Sequence, residues 1–209
     1  AQLRSFWNRQ KARPWVLAVS GDFDRDQILA FAKSLPAPDQ RKVDVPVPAW
    51  GTRPELDIPM PGRNQAHLML IFKTAPDTSP DTPALDLLET SLGGMGGPLF
   101  RDLRDKQGLG YTVTAFNRQT SENGYMVFYI GTEPGKMAQA EEGFKRIIND
   151  LHQNLLSEED VNRGKNQLEG DYYRNMQSLG SRSGEAAALT MEGYPLSFTK
   201  DQIEKSKNV

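Results

Sequence analysis

The chain concentrates its prolines in one stretch. Seven of the fourteen prolines in the 209-residue sequence fall between Pro36 and Pro61. Proline fixes φ and lacks a backbone N–H, so it ends helices and interrupts the hydrogen-bond ladders of sheets. A helix across this stretch is therefore excluded, and an extended connector is expected. The sequence is thus expected to divide into a short N-terminal part, 1–35, a linker, 36–62, and a body, 63–209.

Composition excludes several classes of protein. The formal net charge is −2, with Lys and Arg scattered among Asp and Glu, so the sequence predicts no basic surface for nucleic acid. No apolar run approaches the roughly 20 residues of a membrane-spanning helix. The chain has no cysteine, which excludes disulfide bonds but assigns no compartment. The composition is typical of a soluble globular protein.

Hydrophobic periodicity and turn residues predict a mixture of strands and helices. In the N-terminal half they predict a strand over 15–19, a helix over 24–35 capped by Asp24, a strand over 66–73 and a helix over 82–92 capped by Thr82. A short helix from Pro98 follows, and then strands over 111–116 and 125–130 joined by an Asn123-Gly124 turn. Two long helices complete the prediction, one from Pro134 and one from a capping box at 157–160 to about Gly193. A hairpin beside helices predicts an α+β fold, with a mostly antiparallel sheet and helices packed on one face.

The stretch 92–113, LGGMGGPLFRDLRDKQGLGYTV, is the most informative motif. A Gly-rich break opens a short helix, and a second glycine turn leads directly into a strand that begins with Tyr111. Arg104 lies on the helix, seven residues earlier, and both side chains are expected to project to one side of the turn. Two structural alternatives stay open: Arg104 pairs on the surface with Asp102 or Asp105, and Tyr111 is an amphipathic residue at the sheet edge.

The glycines of the sequence GGMGG at 93–97 suggest a phosphate-binding loop, but the surrounding residues do not support one. The Lys-Ser/Thr pair of a P-loop is missing, and the spacing does not fit G-x-G-x-x-G after a strand. A flexible turn between helices is expected instead, because glycine tolerates positive φ and close approach.

The motif at 92–113 and the order of elements resemble those of the pitrilysin/insulinase-type zinc metallopeptidases, the inverzincins. The matching part is the C-terminal half-domain, which lacks zinc, and the resemblance implies a metalloenzyme LuxS/peptidase-like fold. It also implies that Arg104 and Tyr111 bind substrate and that the turn formed by Gly93, Gly94, Gly96 and Gly97 lines the substrate chamber. Residues 1–35 resemble the closing strand and helix of a preceding domain. Residues 63–209 resemble the half-domain itself, which is expected to be truncated at its C-terminus, so that exposed edges favour self-association.

The zinc motif of that family, H-x-x-E-H, is absent from the sequence. His67 and His152 are the only histidines, and neither has a second ligand at helical spacing, whereas a catalytic zinc site needs about three protein ligands. His67 is expected to be a partly buried residue of its strand. The chain is therefore expected to hold no metal, cofactor or complete catalytic site of its own, and to be inactive in isolation.

The resemblance implies that zinc is supplied by a partner, either an N-terminal half-domain of the same chain or a separate subunit, and that the shared substrate is a peptide. The compartment stays open between bacterial periplasm and cytoplasm. A second hypothesis also stays open, in which the chain is a non-catalytic relative that serves as a scaffold or peptide-binding subunit.

Overall fold

The computed structural model describes residues 2–11, 13–36, 47, 49–52 and 54–209. Part of the predicted proline-rich linker, residues 37–46, 48 and 53, lies outside the described residues. The chain divides into two compact units. The first unit comprises Ala1–Pro46 and Tyr172–Lys200, and the second comprises Val47–Asp171 and Asp201–Val209.

The described residues form helices and a single sheet. In chain order the elements are α1 (Gln2–Lys11), α2 (Arg25–Ser34), β1 (Ala66–Thr74), α3 (Thr82–Leu92), a π-helix (Phe100–Lys106), β2 (Gly110–Gln119), β3 (Gly124–Thr132), a short 3₁₀ turn (Pro134–Lys136), α4 (Met137–Asn154), α5 (Glu158–Asn175), α6 (Leu179–Glu192) and α7 (Phe198–Ser206). Helices α1 and α7 are additional to the predicted elements.

The first unit confirms one N-terminal prediction and corrects another. Helix α2 begins after Asp24, whose carboxylate accepts hydrogen bonds from the backbone N–H groups of Asp26 at 2.8 Å and Gln27 at 3.1 Å. The strand predicted over 15–19 is wrong, because this segment belongs to no helix or strand. A strand needs a neighbouring strand to satisfy its backbone, and the part of the chain that the structure describes offers none to this segment.

The sheet lies in the second unit and has the strand order β1-β3-β2, with both pairs antiparallel. The central strand aligns Phe128 with Leu70 on one side and with Ala115 on the other. Residues 120–123 connect β2 to β3, with the Thr120 N–H donating to the Asn123 carbonyl oxygen at 2.8 Å. The predicted antiparallel hairpin is therefore confirmed.

The hydrophobic core lies between one face of the sheet and the helices packed on it. Helix α4 contributes Phe144, which is fully buried and meets Phe128 of the sheet edge-to-face, with 6.0 Å between ring centres. The remaining buried core side chains come from the sheet, α4, the end of α3 and the segment between α3 and β2: Leu92, Leu99, Leu103, Leu109, Val113, Ala115, Met126, Ile130, Ala140 and Ile147. The predicted α+β architecture is confirmed.

Three helix predictions differ from the structure in detail. Thr82 does not cap α3; its hydroxyl donates to the carbonyl oxygens of Pro76 and Asp77 at 3.2 and 3.1 Å. Leu155, predicted to lie on the buried face of α4, ends that helix with φ of 61° and is 77% exposed. The single helix predicted up to residue 193 is two helices, because Ser178 starts α6 by accepting a hydrogen bond from the Ser181 N–H at 3.3 Å.

Candidate functional site

The structure brings Arg104 and Tyr111 together. The guanidinium carbon of Arg104 lies 4.6 Å from the centre of the Tyr111 ring and 4.4 Å from the centre of the Phe100 ring. Both distances are within the range of cation–π attraction. Asp102, one of the partners considered for Arg104, instead accepts a hydrogen bond from Arg146 at 2.6 Å. The two predicted substrate-binding side chains therefore form one contact at the surface, where Tyr111 is 80% exposed.

A π-helix places Arg104 in this position. The Gln107 N–H donates to the carbonyl oxygen of Asp102 at 3.2 Å, five residues back, where an α-helix would bond four residues back. The Leu109 N–H reaches the Leu103 carbonyl oxygen at 2.8 Å and closes the helix. Single π-turns occur often at functional sites. The sequence predicts a short helix here but gives no sign of the wider turn.

A β-bulge positions Tyr111. The register of β2 against β3 shifts between Gly110 and Thr112, so Tyr111 is the extra residue of the bulge. A bulge re-aims a side chain relative to the regular pleat. Gly110 is required beside it, because a Cβ there would lie 2.3 Å from the Gly131 carbonyl oxygen. The Gly-Leu-Gly sequence before Tyr111 is the signal from which this irregularity could have been predicted.

The turn between the π-helix and β2 is held by hydrogen bonds from the end of β3 and the turn that follows it. The hydroxyl of Thr132 donates to the Leu109 carbonyl oxygen, and Lys136 Nζ donates to the Gly108 carbonyl oxygen at 3.3 Å. Gly108 has a φ of 60°, a conformation that favours glycine. Arg104 and Tyr111 therefore extend from a turn whose backbone is fixed on both sides.

The Gly-rich turn at 93–97 is a tight connection between α3 and the segment that enters the π-helix. Gly97 is buried, and a Cβ on it would lie 2.2 Å from the Leu92 carbonyl oxygen and 2.3 Å from that of Gly93. Gly94 has a φ of 69° and faces Gln167 of α5. The groups nearest to this turn belong to α3, β2, α5 and Arg101. Among the described residues, no hydrogen bond joins the turn to the side chain of Arg104 or Tyr111. Its predicted role in lining a chamber stays a prediction.

A buried carboxylate connects this turn to two helices. Asp160 is 5% exposed and accepts hydrogen bonds from both terminal nitrogens of Arg101 at 2.9 Å, from Arg163, and from the Ser157 hydroxyl at 2.8 Å. The Arg101 guanidinium holds the pKa of Asp160 well below its usual range, with further help from Arg163 and Ser157.

The same two arginines reach the backbone of the Gly-rich region. Arg101 donates to the Gly96 carbonyl oxygen at 2.6 Å, and Arg163 donates to that of Ser91 at 2.6 Å. The sequence predicts only a helix capping box at 157–160. The Asp160 N–H does donate to the Ser157 hydroxyl at 3.1 Å, as predicted, but the arginine contacts were missed.

A pair of carboxylates, Asp86 and Glu89 of α3, lies near the edge strand β2. Glu89 of α3 accepts a hydrogen bond from the Asn117 backbone N–H at 2.8 Å, and Asn117 also accepts one from the Thr74 hydroxyl at 3.1 Å. Burial and the nearby charge of Glu89 raise the pKa of Asp86 to about 6. Burial likewise raises the pKa of Glu89. These groups belong to the packing of α3 on the sheet.

His67 is exposed, so its predicted partial burial is wrong. It lies on the face of β1 opposite the core, where its Nδ1 is 2.9 Å from the hydroxyl of Tyr129 on β3. The two rings are nearly parallel, at 16°, with 6.0 Å between centres. The alternation of β1 is as predicted. Within the second unit, the described core helices pack on one face of the sheet, and His67 lies on the other face.

Comparison with known proteins assigns the family. Residues 2–168 match the family model described as the Peptidase M16 inactive domain. The chain belongs to this family. It corresponds to the inactive C-terminal domain of M16 zinc-protease-family proteins. This confirms the resemblance to the zinc metallopeptidase family that the motif at 92–113 indicates.

Relatives of this M16 inactive domain include two proteins named uncharacterized zinc proteases. YmxG of Bacillus subtilis is 28% identical over 119 residues, which cover 56% of this chain and 29% of YmxG. SCO5738 of Streptomyces coelicolor is 24% identical over 176 residues, covering 79% of this chain and 38% of the relative. The chain thus spans less than half the length of these relatives.

Solved structures share the fold. A protease from Helicobacter pylori superposes with a TM-score of 0.76 at 20% identity, over 91% of this chain and 48% of that one. The peptidase M16 inactive domain from Pseudomonas fluorescens superposes with a TM-score of 0.69 at 21% identity, over 90% and 46%.

The described residues of this M16 inactive domain offer no set of zinc ligands. Across the described residues, no three His, Cys, Asp or Glu side chains come together in a group that could hold a metal ion. His67 bonds to Tyr129, and His152 lies exposed in the last turn of α4. The residues therefore do not fit a zinc site. In the same described part, no helix is both long and apolar enough to cross a bilayer.

Proposed function

We propose that this chain is the substrate-binding half-domain of a zinc-dependent metalloendopeptidase. It acts on peptides together with a zinc-bearing domain, either in the same polypeptide or in a partner subunit. The observation that carries the proposal is the contact between Arg104 and Tyr111 at an exposed turn. The membership of the M16 family and the zinc-protease names of the relatives support it.

The pair is suited to holding a peptide bond. The two rings beside Arg104 restrict the guanidinium to one position while its N–H groups stay able to donate. The Tyr111 hydroxyl adds an uncharged donor on an 80% exposed side chain. Donors held in place before the substrate arrives can orient a scissile bond and stabilise negative charge that develops on its carbonyl oxygen. The zinc and the attacking water would belong to the partner domain.

The fixed backbone around this pair also supports the proposal. Three features constrain the turn: the bulge at Tyr111, the π-helix that carries Arg104, and the two hydrogen bonds to the carbonyl oxygens of Gly108 and Leu109. A substrate contact needs such constraint, because donors that are misplaced by about 1 Å lose much of their catalytic effect. A surface ion pair, which contributes little to stability, does not need a constrained backbone.

The decisive experiment uses the zinc-loaded assembly, either a full-length enzyme or this chain joined to its zinc-bearing partner. Steady-state cleavage of a fluorogenic ten-residue peptide is compared for the wild type, Arg104→Ala and Tyr111→Phe. Tyr173→Phe, which makes the same change at another exposed tyrosine, is the matched control. We expect kcat/KM to fall in the first two variants and to stay unchanged in the control, with equal melting temperatures.

Two results would count against the proposal. Wild-type kinetics in both variants would return Arg104 and Tyr111 to a purely structural role. An assembly that binds the peptide but cleaves none, at full zinc occupancy, would favour the non-catalytic peptide-binding or scaffold subunit.

A further inference from the structure

We propose that Gln65, His67 and Tyr129 form a second peptide contact, which binds the main chain of an extended substrate on the open face of the sheet. This inference rests on the proposed function, because it places the contact next to Tyr111. It adds a binding region on strands β1 and β3, whereas Arg104 and Tyr111 lie on the π-helix and β2.

The contact between His67 and Tyr129 leaves a hydrogen-bond donor for a ligand in either tautomer. If the Tyr129 hydroxyl donates to Nδ1 across the 2.9 Å contact, the proton of the neutral ring is on Nε2 and is free to donate. If Nδ1 carries the proton and donates to the phenol oxygen, the phenol proton is free instead. The stacking of the two rings fixes both side chains. The pair therefore presents an oriented hydrogen-bond donor at the surface.

Gly131 lies beneath the side chains of Gln65 and Tyr129. A Cβ at Gly131 would lie 2.9 Å from the side-chain nitrogen of Gln65 and 3.4 Å from the Tyr129 hydroxyl oxygen. The Gln65 amide and the Tyr129 hydroxyl therefore converge above a position that has no side chain. An amide, a phenol and an imidazole together offer both donors and acceptors, as the backbone of a peptide does.

The register places this cluster in line with Tyr111. His67 is opposite Gly131 in the pairing of β1 with β3, and Gly131 is opposite Thr112 in the pairing of β2 with β3. Tyr111 is the bulged residue immediately before Thr112. Adjacent strands are separated by about 4.8 Å, so His67 and Thr112 lie roughly 10 Å apart across Gly131. An extended peptide covers this distance with about three residues.

The surroundings favour the main chain of a peptide over a charged ligand. The amide, phenol and imidazole groups of the cluster supply hydrogen-bond donors and acceptors, which suit amide N–H and carbonyl groups. Further along the same face of β1, Met69 and Ile71 are 52% and 56% exposed. These apolar side chains are suited to contacting substrate side chains, which project from an extended peptide on both sides.

The test measures peptide cleavage by the zinc-loaded assembly and peptide binding by the same assembly without zinc. Binding of a fluorescent ten-residue peptide is measured by anisotropy after zinc has been removed with a chelator, so that no cleavage occurs. The variants are Tyr129→Phe and Gln65→Ala. Tyr125→Phe is the matched control, because Tyr125 lies on the same strand and the same face but pairs with Lys73 and Arg118 at the hairpin end. Three peptides that differ only in the charge of their side chains serve as ligands.

We expect Tyr129→Phe and Gln65→Ala to weaken Kd roughly threefold to tenfold, the usual effect of losing one neutral hydrogen bond. Gln65→Ala removes a bond to the peptide, whereas Tyr129→Phe removes either the phenol donor or the hydrogen bond that orients the His67 donor, depending on the tautomer. The loss should be equal for all three peptides, and Tyr125→Phe should bind like the wild type. If the variants weaken binding of only one of the three peptides, the cluster recognises side chains and does not bind the peptide main chain. Unchanged binding in both variants, with Tyr111→Phe still defective in cleavage, would overturn this inference alone. If Tyr111→Phe also cleaves normally, the proposed function fails as well.

Discussion

The guanidinium of Arg104 stacks on the ring of Tyr111, while the Tyr111 hydroxyl takes no part in that stack. Ring and hydroxyl can therefore be separated by mutation. Tyr111→Phe keeps the aromatic face that holds Arg104 and removes only the donor. Tyr111→Ala removes both and leaves Arg104 with the Phe100 ring alone.

We expect Tyr111→Phe to lower kcat of the zinc-loaded assembly, and with it kcat/KM, by about 100- to 1,000-fold, the effect of removing one comparable oxyanion donor. Tyr111→Ala should raise KM in addition, because the Arg104 guanidinium loses one of the two rings that position it. Melting temperatures should stay equal, since the side chain is exposed. If the Ala and Phe variants show the same KM, the ring does not position Arg104.

Arg104→Lys keeps the positive charge and removes the planar group. An ammonium cannot stack on two rings or donate in a fork, so kcat/KM should fall almost as far as in Arg104→Ala. Steady-state kinetics of both variants at low and high salt make the comparison. Full activity in Arg104→Lys would show that charge alone is sufficient.

Gly97→Ala should be strongly destabilising. The added Cβ would lie 2.2 and 2.3 Å from two backbone oxygens, so the Gly-rich turn must shift. A cost of about 1–3 kcal/mol or more is expected from such overpacking. Gly135→Ala is the control, because a Cβ at Gly135 meets nothing within 4 Å. Urea denaturation of both variants provides the measurement, and equal midpoints would contradict the close packing of the turn.

Asp160→Asn should destabilise the fold and loosen the Gly-rich turn. The carboxylate is bonded to Arg101, Arg163 and Ser157, and an amide cannot accept from both arginines in the same way. Because the arginines are partly exposed, we expect a loss of about 1–3 kcal/mol, below the cost of breaking a fully buried pair. Because the pKa of Asp160 is lowered from 3.8 in the folded state, the ionised carboxylate stabilises the wild type above that pH, and this contribution is lost progressively as the pH falls below it. Thermal melts between about pH 2 and pH 7 should show the two proteins converging at the acidic end.

Asp86→Asn should stabilise the protein at neutral pH. The pKa of Asp86 is raised from 3.8 to about 6, so the folded state binds a proton more tightly than the unfolded state. The free energy of unfolding contributed by this group is therefore highest in acid and falls as pH rises through about 6. Asp86→Asn removes the ionisation and therefore this decrease. Its free energy of unfolding should exceed that of the wild type by about 1–3 kcal/mol at about pH 8 and should differ little at about pH 4. Glu122→Gln in the exposed hairpin turn is the control, and a gain independent of pH would contradict the assignment.

Elements that bury a regular apolar stripe could be predicted from the sequence. Helix α4 and the strands of the hairpin repeat their hydrophobic residues with the period of their structure, and Phe144 and Phe128 meet where these stripes face each other. The proximity of Arg104 and Tyr111 follows from a short glycine turn between two elements close in sequence.

Features that depend on distant residues could not be predicted in the same way. Arg101 and Asp160 are 59 residues apart, and nothing local to either identifies the other. The exposure of His67 depends on which face of the sheet the helices cover, and strand alternation alone does not determine this. The separation of α5 from α6 depends on Ser178 within a polar stretch that carries no strong break signal.

The π-helix over 100–106 affects how this region should be aligned with other sequences. A π-turn contains one residue more than an α-turn, so a deletion of one residue between Pro98 and Gly108 would restore α-helical hydrogen bonding. Each α-helical residue turns the chain by about 100°, and the deletion would rotate Arg104 away from the Tyr111 ring. A one-residue gap in this stretch of an alignment therefore signals loss of the Arg104–Tyr111 contact, even where both residue types are retained.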